Sequence, residues 1–250
     1  MHGRRGLIAA ACACMSLLLP SQAHARARAA MLPIRIAVID SGIARTPTLA
    51  TLVETEIDMV DHRAPFTPVS DHGTAVATIV AMSSHVPIRI VSLRVDREHE
   101  CDPHACQMET YAIVSAIHEA IEMDVDVVNL SIDLEYDRSI SLALQKAASR
   151  GIRIVVAAGN QGGESRAAIY ARTIPRRLWL VGASDDAGRP ASFSDRAETG
   201  CACQFVWKPG MAIETQNREG AAVKGDGTSF AAPLMTAELA DSIGAKRRDH

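Results

Sequence analysis

The sequence predicts an α/β fold in three layers, a mostly parallel central sheet with helices on both faces. Three observations carry that prediction. Apolar runs of strand character alternate with segments whose apolar residues recur at helical spacing, from Ile34 to Ala240. No internal repeat, low-complexity tract or linker divides the chain. Polar residues with chemical potential, Asp40, Ser131 and Asn160, fall at the ends of the apolar runs. Parallel sheets of this kind bind ligands beyond the carboxyl ends of their strands.

Taken in order, the first segment reads as a leader. Arg4 and Arg5 precede an apolar stretch from Gly6 to Leu19, and Ala23-His24-Ala25 offers small residues to a signal peptidase. Residues 1–25 are therefore expected to be a signal peptide. It is too short to span a membrane comfortably. Cys12 and Cys14 lie within it, without lipoprotein spacing. The mature protein would be exported, to a periplasm or the exterior, with no membrane span left after cleavage. Residues 26–33 form a short N-terminal segment, 34–243 the folded domain and 244–250 a polar tail.

Within the domain, Ile34 to Ile39 reads as a strand, and Ala75 to Val80 as a helix that begins at His72. Ile88 to Leu93 is a strand, Tyr111 to Met123 a helix, and Val125 to Leu130 a strand. Ile140 to Ala148 is a helix closed by Gly151, Ile154 to Asn160 a buried strand, and Leu178 to Ala183 a further strand. The chain has 250 residues, 48% of them hydrophobic, enough for one domain with a sizeable core. Aromatics are only 4%, so Val, Ile, Leu, Ala and Met must build that core. A formal net charge of -3 leaves no electrostatic footprint for nucleic acid.

Chemistry concentrates around Gly227-Thr228-Ser229-Phe230-Ala231-Ala232-Pro233. A serine there opens a helix whose N–H groups and dipole favour developing negative charge. Thr228 is expected to cap that helix. Pro233 is expected to lie early enough that its missing N–H is not needed. Serine is idle without a base. Asp40-Ser41-Gly42 ends a strand on a carboxylate, Asp71-His72-Gly73-Thr74 opens a helix on an imidazole, and Gly159-Asn160 ends a strand on an amide. As capping residues alone, these would be four unrelated coincidences. In the order Asp, His, Asn, Ser, the chain resembles the subtilases, the subtilisin-like serine proteases. Val181 to Asp185, Ala191 to Ser194 and Lys208-Pro209-Gly210 extend that resemblance across about Ile34 to Ala240.

The resemblance implies a serine endopeptidase acting on a peptide or protein substrate, with no cofactor and no catalytic metal. Ser229 would be the nucleophile, His72 the general base and Asp40 its orienting carboxylate. Asn160 would supply an oxyanion donor with the Ser229 N–H. Ser131, Ile132, Asp133, Ala158 and Gly159 would bind substrate. Asp133 and Leu134 stand where the family usually has two glycines. An inward Asp133 would favour Lys or Arg before the scissile bond. An Asp133 that blocks the cleft would instead suit a binding or regulatory module on the same fold. The family's usual histidines are replaced by Ala75 and Leu234, and a glycine by Thr78. Few residues separate Ala25 from the first catalytic strand. Either the domain folds unaided, or a separate folding assistant or inhibitor chain accompanies it, or the protein is not a conventional secreted protease.

Other polar residues read as structural. His118 belongs to a helix, Asp58, Asp61 and His62 to a loop, Asp185-Asp186 to a turn. Asp241, Asp249 and His250 sit too close to the polar end to complete an α/β-hydrolase, and Ser229 lacks that fold's Gly-x-Ser-x-Gly elbow. Four cysteines remain after the leader. In an exported protein these four suggest disulfides with three complete pairings open; Cys101–Cys106 is the expected local bridge, and Cys201 and Cys203, close in sequence, could pair elsewhere or stay free. His99, Cys101, His104 and Cys106 also have metal-ligand spacing, and that reading stays open.

Overall fold

The computed structural model describes residues 32–62, 67–97 and 108–249. The expected leader and the Cys101–Cys106 segment lie outside them. Seven strands form one sheet: β1 (Ile34–Asp40), β2 (Val53–Asp58), β3 (Ile88–Arg94), β4 (Val127–Leu130), β5 (Arg153–Ala157), β6 (Leu178–Ser184) and β7 (Gln204–Pro209). Their order is β2-β3-β1-β4-β5-β6-β7. Every neighbouring pair is parallel, so the sheet is wholly parallel. From β1 the chain builds outward on one side through β2 and β3, then crosses to the other side at β4. That reversal opens a crevice at the carboxyl ends of β1 and β4.

Helices α1 (His72–Ser83) and α5 (Thr228–Asp249) cover one face. The other carries α2 (Thr110–Glu122), α3 (Arg138–Ser149) and α4 (Ala168–Thr173). The two-residue period of β1 sorts its side chains accordingly. Ile34, Ile36 and Val38 face α1 and α5, while Ala37 and Ile39 face the opposite helices. Small residues on α5, Ala231, Ala232 and Ala240, let that helix lie close over the sheet.

Four strands escaped the sequence reading. β2 and β7 are edge strands with mixed burial, so polar residues interrupt their pattern. β8 (Ile213–Gln216) and β9 (Ala222–Gly225) form a separate antiparallel hairpin. The expected polar tail also differs: α5 continues to Asp249. Gly244 is buried against Val86, and the Arg247 guanidinium pairs with Asp126, which hold those last turns to the body. Pro233 is the sixth residue of α5, beyond its first turn. The helix therefore forgoes one internal hydrogen bond, to the Ser229 carbonyl.

Candidate active site

Strand β1 delivers Asp40 to the crevice as a fully buried carboxylate. Its Oδ1 accepts from the Ser41 N–H at 2.8 Å and lies 2.8 Å from His72 Nδ1. A carboxylate can only accept, so Nδ1 carries the proton and Nε2 is left as the basic nitrogen. The ring sits on the first residue of α1, whose start is moored to β1: the Gly73 N–H donates to Ser41 Oγ at 3.1 Å. A side chain at residue 73 is excluded, because a Cβ would lie 2.3 Å from the Gly42 carbonyl oxygen. Burial alone would lower the His72 pKa, but the Asp40 charge and hydrogen bond outweigh it and raise the pKa above 6.5. Phe230 meets the imidazole edge-on, with ring centroids 5.9 Å apart.

Behind Asp40 lies a layer of charge, of which the sequence reading names only Asp58, as a loop residue. Asp58 ends β2 and is buried, with Oδ2 2.8 Å from Arg94 Nη1. Arg94 Nε lies 2.7 Å from Asp96 Oδ1, and both residues are buried. Asp40, Arg94 and Asp58 are partners in register across β1, β3 and β2. Parallel pairing thus brings together charges far apart in the chain. Burial pushes the Asp96 carboxyl up to about 6, with Arg94 opposing the rise and Asp40 adding to it.

The serine wall is built from neutral hydrogen bonds. Gly227, with φ +146°, turns the chain into α5 and accepts the helix's first bonds through its carbonyl. Thr228 does not cap the helix as expected. Its hydroxyl accepts from the Gly159 N–H at 3.1 Å and donates to Asn160 Oδ1 at 3.1 Å. The Thr228 N–H donates to the same amide oxygen at 2.9 Å. With Oδ1 so engaged, Asn160 Nδ2 is left as a donor. Nδ2 and Ser229 Oγ both lie within 3.5 Å of the point a Cβ on residue 227 would occupy.

His72, Ser229 and Asn160 line one cleft of about 550 Å³, together with Ser131, Ile132, Asp133 and Gly159. Ala158 does not join them; Ala157 does. The Ala158 N–H is committed to the Val181 carbonyl and its own carbonyl to the Ser165 hydroxyl, which turns it away. Asp133 neither points deep into the cleft nor fills it. Its side chain is 55% exposed and lies 3.6 Å from Arg166 Nη2, and that arginine also binds Glu135. Sequence reasoning missed Ser41, Thr228 as a tie to Asn160, and Phe230, although each adjoins a residue it had named. Among the described residues no cluster of His, Cys, Asp or Glu could hold a metal ion. Of the pairings left open, the described residues show the one between Cys201 and Cys203, whose sulfurs face each other at bonding distance.

A wholly parallel α/β sheet with Asp, His and Ser brought together in that chain order defines a protein of the subtilisin-like class. The chain belongs to the subtilase family, whose sequence model matches residues 33–247. It is 30% identical over 218 residues to subtilisin amylosacchariticus of Bacillus subtilis subsp. amylosacchariticus, covering 83% of this chain and 54% of that protein. It thus spans about half the length of that relative. Over 219 residues it is 30% identical to a subtilisin of Bacillus pumilus, covering 83% and 75%. A crystal structure of a cold adapted subtilisin-like serine proteinase superposes with a TM-score of 0.70 at 22% identity, covering 87% of this chain and 76% of that one.

Proposed function

We propose that the chain is a serine endopeptidase in which Ser229, His72 and Asp40 form the catalytic triad. The observation that carries this reading is the 2.8 Å bond from His72 to buried Asp40 on the cleft that Ser229 and Asn160 share. In this mechanism Ser229 Oγ attacks the scissile carbonyl as its proton passes to His72 Nε2. The negative oxygen of the tetrahedral intermediate is held by Asn160 Nδ2 and the Ser229 N–H. His72 then gives the proton to the leaving amine, the C–N bond breaks and an acyl-enzyme remains. Water, activated by the same imidazole, hydrolyses it. Asp40 holds the imidazole in the required tautomer and stabilises its cation.

The peptidase unit in this reading runs from β1 to the end of α5. The described cleft lining includes Asp133 and Asp226 and no Lys or Arg, which favours a basic residue before the scissile bond. Arg166 offsets part of the Asp133 charge, so the preference is modest. Export fits a Cys201–Cys203 disulfide. No described helix is long and apolar enough to cross a membrane.

A fluorophosphonate probe tests the assignment. Labelling of the wild type that vanishes in Ser229→Ala is expected. A wild type that folds yet neither labels nor cleaves a peptide library would overturn it and leave the module reading.

A further inference from the structure

The proposed oxyanion donor is held from two sides, and only one of them belongs to the serine helix. On that side Thr228 grips the Gly159 N–H and the Asn160 amide oxygen. On the other stands Asp195, which follows the Ala191-Ser192-Phe193-Ser194 turn beyond β6. It is a buried carboxylate, 3% exposed. No Lys, Arg or His pairs with it among the described residues, and its charge is met by backbone N–H groups instead. Asp195 Oδ1 accepts from Gln161 N–H at 3.0 Å and from Gly163 N–H at 2.8 Å. The Asp195 N–H donates to the Gly159 carbonyl at 2.9 Å.

These three bonds bracket Asn160. They fix the peptide before it and two of the next three after it, so the turn has little freedom to rotate the amide. Three further bonds lace the same strips together: Gly162 N–H to Phe193, Arg196 N–H to Gly163 and Ser165 N–H to Arg196. Asp195 is fitted against the turn as well as bonded to it. Gly159 has φ +110°, and a Cβ there would lie 2.3 Å from Asp195 Oδ2. The glycine before Asn160 is required because this carboxylate occupies the space.

We propose that Asp195 is a positioning residue for catalysis, holding the Asn160 amide where the oxyanion forms. The proposal rests on the oxyanion role assigned to Asn160 above. A donor displaced by about 1 Å loses on the order of a hundredfold in rate, so a residue acting through its placement can matter as much as one that touches substrate.

The test is a double-mutant cycle of Asp195→Ala with Asn160→Ala, with active sites counted by exhaustive fluorophosphonate titration. Asp195→Ala is expected to lower kcat about ten- to a hundredfold, with KM within about twofold. Affinity for a peptide boronate, which forms a tetrahedral adduct on the serine, should fall by the same factor. In the Asn160→Ala background the same change should lower kcat by less than about threefold, because the donor it positions is gone. Asp195→Asn keeps an acceptor and loses the charge; its smaller kcat loss should likewise disappear beside Asn160→Ala, and it decides the question if the alanine variant does not fold.

Equal losses in both backgrounds, or an undiminished kcat, would reduce Asp195 to a structural residue and overturn the proposal. If Asn160→Ala itself loses no activity, or the wild type is inert, the active-site reading fails and the proposal falls with it. Full Asn160 sensitivity without coupling leaves that reading standing and sinks only the role of Asp195.

Discussion

Carboxylates stand on both sides of the cleft under opposite conditions. Asp40 is fully buried, bonded to His72 and a backbone N–H, and backed by the Asp58–Arg94–Asp96 layer. Asp133 is 55% exposed and shares an exposed arginine with Glu135. Water screens the second pair, and its long side chains lose entropy when they meet. In the first, each charge removed from water depends on a fixed partner. In the proposed mechanism the inner wall therefore carries chemistry and stability together, while the rim can change its charge at little structural expense.

That contrast can be tested from its strongest point downward. Ser229→Ala and His72→Ala should each lower kcat on the order of a millionfold, because the members of the proposed triad would act as a unit. Circular dichroism should show the fold unchanged. Substantial turnover in either variant would remove the inner wall's chemical role. Asn160→Ala should lower kcat about a hundred- to a thousandfold with KM nearly constant; a loss confined to KM would make it a substrate contact instead.

Breaking the layer behind Asp40 tests the stability half. Arg94→Ala should destabilise the protein by about 3–5 kcal/mol in urea denaturation, since it strands buried carboxylates. A change below about 1 kcal/mol would mean that the inner wall is no more demanding than the rim.

Acidity gives a finer comparison. His72 must be neutral to act as a base, and its pKa is raised, so the acid limb of kcat/KM should lie above 6.5. Asp40→Asn should move any residual limb downward. The Asp96 pKa is shifted in the same direction, but its effect is on stability. Its carboxyl is raised from 3.8 to about 6, so its contribution is complete below about 4 and is lost as pH rises through about 6. Asp96→Asn should flatten the pH dependence of unfolding across that interval, and an unchanged slope would assign it to another group.

The rim should respond least. Arg166→Ala is expected to shift stability by under about 1 kcal/mol while sharpening cleavage after Lys and Arg, because Asp133 loses its counter-charge. Asp133→Gly should relax that preference. A peptide library that reads alike for both variants and the wild type would show that the rim has no part in selection.

Period was enough to foresee the layered fold, and the subtilase-like motifs singled out His72, Asn160 and Ser229, which line one cleft. Continuous apolar runs mark strands buried on both faces, and Asp40, His72, Asn160 and Ser229 each sit at an element end that the pattern locates. The same local signal could not find β2 or β7, which lie at sheet edges and keep polar residues on their exposed sides. Nor could it foresee that Ala158 turns away while Ala157 lines the cleft, since that depends on which neighbour takes each backbone group. Asp58, Arg94 and Asp195 look like ordinary polar residues in the sequence. They became a buried charge layer and a brace for Asn160 only because strand order sets β2 beside β3 and the turn after β6 beside the exit of β5. A hydrogen bond between residues more than thirty positions apart is decided by that order, and no window of the sequence contains both partners.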